Sequence, residues 1–328
     1  MAEETNCLIL MTTYNGQNYL KKQLDSIINQ TWTSWRLLIR DDGSTDDTLK
    51  ILKEYSDRDS RIEVLENRTN KHGAYANFWW LINYAYKYKK FDYYFFADQD
   101  DIWLRNKLEY FIKYAEVQDA NQPLLVYSDM QIINEKDEVT TESLNKVLGI
   151  GEMSGYTEFY SAGFVWGCAA MINSALFFSA PPIDGNDKYV NIMSHDNFYT
   201  KLCLVLGKVY YLDKPLIQHR RHSSNVTAGN TFALTPLKVL KKGLFGYKEL
   251  AKTHAIGYNQ TLLTIKHLRS NGITSSLTDE VEKAILRGGV CGYRILKRHK
   301  VKRSQRSRTI GIYTVMLLKS YKKYLVKV

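Results

Sequence analysis

Along the first hundred residues, short apolar runs alternate with segments of helical period. Residues 7–14, CLILMTTY, form an apolar run closing on hydroxyls, the pattern of a buried strand. Over residues 18–30 the apolar positions Leu20, Leu24, Ile27 and Ile28 share one helical face. WRLLIR, residues 35–40, predicts a second strand. STDDTLKILKEY, residues 44–55, predicts a helix with Ser44 as N-cap and Asp47 three residues on. RIEVLEN, residues 61–67, reads as a third strand, residues 75–88 as an aromatic-rich helix, and YYFFA, residues 93–97, as a fourth strand. Strand and helix alternating four times predict an α/β fold with a doubly wound, parallel sheet covered on both faces.

After residue 120 the pattern loosens. PLLVYSDMQII, residues 123–133, predicts a strand or hairpin, residues 135–155 a polar connection or lid, and GFVWGCAAMIN, residues 163–173, a buried strand. SHDNFYTKLCLVLG, residues 194–207, begins a helix with His195 and Asp196 in its first turn. KVYYLDKPLIQHRRHSSN, residues 208–225, closes the sheet and ends in a basic loop, and helix-forming segments dominate from about residue 231. The expected division is a catalytic domain over residues 1–229 and a basic, mostly helical region over residues 230–328. Residues 159–183 carry no charge and have the length of a membrane span. Their hydroxyls, glycines and Pro181-Pro182 pair suit a buried strand followed by a short helix better.

Charge changes the picture only at one end. Of a net +11, residues 287–328 supply thirteen Lys and Arg and no acid, so the other 286 residues carry 32 basic and 34 acidic groups. Any argument from basicity to a partner therefore concerns that tail. Its cationic cluster and lysine-interrupted apolar stretch suit an amphipathic surface on an anionic membrane, a helix packed within the protein, or a homo-oligomer contact. Cys7, Cys168, Cys203 and Cys291 lie far apart without C-x-x-C spacing and are expected as reduced thiols. The opening MAEETN is acidic and polar, unlike a signal peptide, so the expected setting is cytoplasmic, with peripheral contact to the inner face of the plasma membrane through the tail.

The candidate chemistry sits where a parallel sheet places it, outside the carboxyl ends of the strands. Thr12, Thr13, Tyr14 and Asn15 follow the first strand, Asp41 and Asp42 the second, residues 67–73 the third and Asp98 to Asp101 the fourth. Carboxylates so crowded repel one another, and a hard dication relieves them. Mn²⁺ or Mg²⁺ is the expected cofactor, since either needs only one or two carboxylates when phosphates and water complete the shell.

In order along the chain, MTTYNG, IRDDGSTDDT, FADQDDIW and SHDN resemble the motifs of family 2 glycosyltransferases of the GT-A fold, which use nucleotide-sugar donors and invert the anomeric centre; the resemblance implies a doubly wound mixed, mostly parallel sheet over the whole catalytic domain. The resemblance covers roughly residues 7–225, and ADQDDIW with the late HRRHSSNV is most similar to bacterial rhamnosyltransferase-type members. There the late motif reads Tyr-Arg-Gln-His, from which His219 and Arg221 depart. The resemblance implies that Thr12 and Tyr14 line the nucleotide pocket, with Asp42 on the N3–H of uracil or thymine and Asp41 as its support. Asp98 then approaches the ribose and metal, Asp100 is the main metal ligand and Asp196 the general base. A carboxylate accepts the imide proton of those pyrimidines and repels the all-acceptor edge of cytosine, which favours a UDP- or dTDP-sugar, of rhamnose or a hexose. Arg220 and His222 are placed to neutralise the departing diphosphate, and Asp101, Trp103 and His195 are candidate acceptor contacts. Trp103 and Trp166 are candidates to stack on a sugar face, with core packing the stronger reading for Trp166. The expected acceptor is a growing polysaccharide, lipid-linked or glycoprotein glycan.

Two other classes compete. A nucleic-acid binder would use the basic tail, but the acidic rim repels phosphates and the tail's aromatics form no single-strand platform, so no nucleic-acid partner is expected. A non-catalytic glycan-binding or assembly subunit on the same fold would lack the metal and base carboxylates, which this chain has.

Overall fold

The computed structural model describes residues 5–88, 90–153, 155–161, 164–222 and 243–327. The chain forms two compact units, Met1–Asn145 with Val165–Val226, and Lys146–Phe164 with Thr227–Val328. The expected boundary at residues 229 and 230 lies outside the described residues. The division also differs from a single cut, because residues 146–164 belong with the C-terminal unit.

The first unit is built on one sheet. Its strands are β1 (Cys7–Thr13), β2 (Trp35–Asp41), β3 (Ile62–Glu66), β4 (Tyr93–Ala97), β5 (Ile102–Trp103), β6 (Leu124–Ile133), β7 (Val139–Thr141), β8 (Ala170–Asn173) and β9 (Lys208–Arg220). They lie in the order β3-β2-β1-β4-β8-β6-β9-β5, with β7 beside β6. From β3 to β4 all pairings are parallel; antiparallel pairing enters where β8 joins β4. The sheet is thus mixed, with its parallel part in the motif-bearing half. Every residue of β1 and β4 is buried, as a strand covered on both faces requires.

The helices of this unit are α1 (Leu20–Ile28), α2 (Thr48–Arg58), α3 (Ala74–Tyr88), α4 (Lys107–Glu116), α5 (Leu144–Leu148, whose last three residues fall in the second unit), α7 (Ser174–Phe177) and α8 (His195–Leu206); α6 (Tyr156–Phe159) belongs to the second unit. Chain order carries β1 to β2 to β3 in one direction across the sheet and then back to β4 on the far side of β1. Right-handed crossovers place α1 and α2 on one face and α3 on the other. In accord with this, α1 packs on α2 and α3 on α8. The reversal between β1 and β4 opens a crevice at their carboxyl ends. Register levels the rim around it: Thr13 pairs with Asp41, Asp41 with Glu66, and Met11 with Ala97.

Three local expectations change. Helix α2 starts at Thr48 with Asp47 before it, because the Ser44 hydroxyl donates to Asp41 Oδ1 at 2.6 Å and accepts the Asn15 N–H at 2.9 Å. Among the described residues of the expected strand 163–173, Ala170–Asn173 form a strand, after a 3-10 turn at Gly167–Ala169. Gly167 lies against the His195 ring, where a Cβ would come within 2.5 Å of Nε2, so the chain turns there at a residue without a side chain. Asn173 then caps α7 by accepting the Leu176 N–H. The stretch 159–183 is thereby broken into short pieces, and among the described residues no helix is long and apolar enough to cross a membrane. The expected polar lid contains β7 and α5, and the buried Asp129 carboxylate holds it by accepting from the Ser143 hydroxyl and the Asn145 N–H.

The second unit is helical: α9 (Gly243–Ser270), α10 (Ser276–Arg287), α11 (Gly289–Arg298) and α12 (Arg306–Leu318). A capping box between Ser275 and Thr278 starts α10. Ile295, Leu296, Ile312, Val315 and Met316 are buried, so α11 and α12 of the basic tail each pack one apolar face within the unit. Thr261 donates to the Phe159 carbonyl, which ties α6 to α9.

Candidate functional site

The loops after β1 and β2 are stitched together before any ligand arrives. Asp41 is buried and accepts four hydrogen bonds, from the Thr13 and Ser44 hydroxyls at 2.8 and 2.6 Å and from the Gly43 and Ser44 amides at 3.0 and 2.7 Å. It is the support of the turn. Asp42, also buried, accepts from Asn67 Nδ2 at 2.6 Å on one oxygen and from the Gly73 N–H at 2.8 Å on the other, which leaves lone pairs on both. Arg40, invisible as a site residue in the sequence, lies 3.9 Å from Asp42 and bonds Asn67 and Asn77. Thr12 is buried at the end of β1, while Tyr14 is 55% exposed beside it.

At the end of β4 the three carboxylates have separate environments. Asp101 is fully buried and accepts from the His219 ring at 2.9 Å, the Arg220 N–H at 3.1 Å and the Cys168 thiol. Burial works against its charge, but His219 and these donors hold its pKa below the usual carboxylate range. Burial likewise disfavours the His219 imidazolium, and Asp101 overrides it, raising that pKa. Asp101 and His219 are therefore an ion pair inside the fold, and Asp101 is withdrawn from the acceptor side. Asp100 points elsewhere: its Oδ2 lies 2.7 Å from His222 Nε2, with the His222 ring against Tyr19. Asp98 is only partly buried, and its pKa is pushed up by burial and then by Asp101 and Asp100.

Arg220 departs from its expected role. Its side chain is fully buried, donates to the Asp100 and Asn134 carbonyls at 2.8 and 2.9 Å, pairs with Asp137 and covers the Tyr19 ring. Of Arg220 and His222, His222 reaches the Asp100 carboxylate directly and Arg220 holds the acidic loop in place. Residues 223–226, the end of that motif, lie outside the described residues.

Two acceptor candidates also prove to be core. Trp103 is 2% exposed with the Lys107 ammonium 3.5 Å from its ring centre, and burial lowers that lysine's pKa to about 7. His195 is buried between Phe78 and Phe96, with ring centres 4.1 and 4.5 Å away, and burial lowers its pKa to about 4. Trp166 lies near His219 with ring planes 28° apart. Asp196, next to His195, is partly buried and accepts the Asn197 N–H at 2.6 Å. Its charge is felt by Asp98 across the crevice, and both carboxylates act on the Tyr75 hydroxyl, whose pKa burial and these charges raise to about 12. Tyr75 gave no signal beyond its place in an aromatic helix.

Donor atoms of Asp98, Asp101, Cys168 and His219 lie within 4.8 Å of one another. As a set they do not suit a hard dication. His219 is held protonated and has no ring lone pair to give, while burial first and the carboxylates next keep Cys168 a neutral thiol, a soft and weak donor that suits such an ion poorly. Carboxylate oxygens suit such an ion better, and Asp98 and Asp100 would supply two; a cation there would relieve the crowding that raises the Asp98 pKa.

The residue between them joins the two halves of the crevice. Gln99 accepts the Tyr14 N–H at 2.8 Å and donates to the Tyr14 carbonyl at 2.9 Å. Gly16 makes room for it, since a Cβ there would come within 2.3 Å of the Gln99 amide oxygen. Two such bonds are worth about 0.5–1.5 kcal/mol each. Gln99→Ala is expected to lower the sum of folding stability and nucleotide affinity by about 1–3 kcal/mol, read by denaturation and by calorimetric titration. A variant unchanged in both would mean that the latch holds nothing.

A family model described as Glycosyl transferase family 2 matches residues 8–178. The UDP-Glc:alpha-D-GlcNAc-diphosphoundecaprenol beta-1,3-glucosyltransferase WfgD of Escherichia coli is 34% identical over 152 residues, 44% of this chain and 56% of that relative, so the chain spans little more than half of its length. The dTDP-rhamnosyl transferase RfbG of Shigella flexneri is 30% identical over 224 residues, 67% of this chain and 74% of the relative. Among solved structures, residues 1–349 of S. aureus TarS in complex with UDP-GlcNAc match with a TM-score of 0.53 at 16% identity, covering 99% of this chain and 93% of that one. The mannosyltransferase PcManGT from Pyrobaculum calidifontis in complex with GDP-Man and Mn²⁺ matches with a TM-score of 0.52 at 13% identity, covering 98% and 88%. At these identities the structures speak to the fold alone, which is GT-A.

Proposed function

Because the chain belongs to glycosyltransferase family 2, we propose that it transfers a sugar with inversion from a UDP- or dTDP-sugar to a hydroxyl of a growing bacterial glycan. The observation that carries the reading is that Asp196, at the start of α8, lies within electrostatic reach of Asp98 at the end of β4. A donor-side and an acceptor-side carboxylate then face one gap.

In this reading Asp42 accepts the pyrimidine N3–H, held for it by Asn67 and Gly73, and Tyr14 with Thr12 walls the nucleotide. Asp98 and Asp100 would hold Mn²⁺ or Mg²⁺, which when bound offsets the charge of the leaving diphosphate. His222, fixed on Asp100, adds a donor on the same side. Asp196 takes the acceptor proton as the acceptor oxygen bonds to the anomeric carbon. The bond from that carbon to the diphosphate oxygen breaks, and its electron pair leaves with the nucleoside diphosphate.

Thermal shift with UDP, dTDP, GDP and CDP, each with and without Mn²⁺, tests the donor side, because bound ligand raises apparent stability. UDP or dTDP with Mn²⁺ is expected to give the largest shift, and Asp100→Ala to abolish the Mn²⁺-dependent part. A preference for GDP, or indifference to Asp100→Ala, would overturn the assignment. Donor hydrolysis by the purified chain separates it from a non-catalytic binding subunit of the same fold.

A further inference from the structure

Helix α12 is apolar on two sides. One side, Ile312, Val315 and Met316, is buried within the helical unit. The other carries Ile310, Tyr313, Leu317 and Leu318, which at helical spacing share one face. Ile310 is 65% exposed, Leu317 42% and Leu318 61%. Ile310, Tyr313 and Leu317 of this face, with Thr309 and Thr314 beside them and Tyr293 of α11, line a groove of about 270 Å³, and Val290 is exposed one turn before Tyr293. An apolar helix face calls for cover, and this one is open.

Charge names the cover. Arg294 and Lys297 are exposed on α11, Arg306 is exposed at the start of α12 and Lys319 just beyond its end, and no acid occurs in residues 287–328. An apolar stripe on two helices whose own charges are all cationic matches an interface with acyl chains below and anionic headgroups around it. A second copy of the same surface would instead bring like charges together. We propose that the outer face of α12, with the groove beside α11, docks on an anionic lipid bilayer. Leu317 and Leu318 enter the acyl boundary, and Arg294, Lys297 and Arg306 meet the headgroups. The proposal does not depend on the catalytic assignment.

Co-sedimentation of the full chain with vesicles of phosphatidylglycerol and phosphatidylcholine, against phosphatidylcholine alone, tests it. Binding is expected to require the anionic lipid and to weaken with salt. The variant Leu317→Asp with Leu318→Asp is expected to bind at least about tenfold more weakly, as is Arg294→Glu with Lys297→Glu. Donor hydrolysis by both variants should stay at the parent level, which keeps failure here distinct from failure of the catalytic reading. Wild-type protein that ignores anionic vesicles, or variants that bind them unchanged, would overturn the proposal. So would a dimer in sedimentation equilibrium that the leucine variant dissociates without any vesicle binding, which would make the stripe a self-association surface.

Discussion

Asp196→Asn is expected to reduce glycosyl transfer by roughly 10²- to 10⁴-fold, the usual worth of general-base assistance, while the donor dissociation constant changes less than about threefold. Asn keeps an oxygen for the Asn197 N–H, which Asp196 accepts at 2.6 Å, so the first turn of α8 should be preserved. What it loses is the basic carboxylate facing Asp98. Single-turnover transfer and donor titration on the same preparation read the two effects separately. Near-normal transfer would dismiss Asp196 as the base, and loss of donor binding as severe as in an Asp100 variant would make it a donor contact. Asp101 could not then inherit the role, since it is fully buried against His219.

A different kind of loss is expected from Asp101→Ala. The change leaves His219 buried without the carboxylate that holds its proton, and breaking such a pair from one side typically costs about 3–5 kcal/mol. Chemical denaturation, followed through the transition of the sheet-bearing unit, measures it. The double variant Asp101→Asn with His219→Gln removes both titrating groups and should recover much of the loss, since the penalty lies in leaving one buried partner of the pair alone. If Asp101→Ala unfolds no more easily than the parent, the pair does not hold the loop.

Much of the catalytic half was legible in the chain. The apolar runs of β1, β2 and β4 are long enough and bounded clearly enough to fix the parallel sheet, and the topology then gathers Thr12, Asp42 and Asp98 on one rim. What could not be read depends on contacts between distant segments. In isolation Arg220 and His222 are two cations of one loop; only the 100–101 segment beside them decides that one is buried and the other faces Asp100. Trp103 and His195 carry the same lesson, because an aromatic residue beside a site motif looks alike whether its faces meet solvent or Phe78 and Lys107. Ser44 had the signature of a cap, yet the neighbouring loop claimed its hydroxyl. The helical tail was ambiguous for another reason. Its apolar residues serve two faces of α12 at once, and helical period alone does not rank them.

The Gln99 latch sets terms for anyone who would retarget this protein. Any side chain at position 16 evicts the Gln99 amide, and any shorter residue at 99 releases Tyr14. The loop after β1 and the acidic loop therefore behave as one interchangeable part, to be transplanted whole or left alone. A library that varies one loop alone would fill with variants that fail for mechanical reasons. Variation belongs instead at the exposed His72, which can be exchanged without disturbing the latch, while Asn67 and Gly73 stay because they orient Asp42.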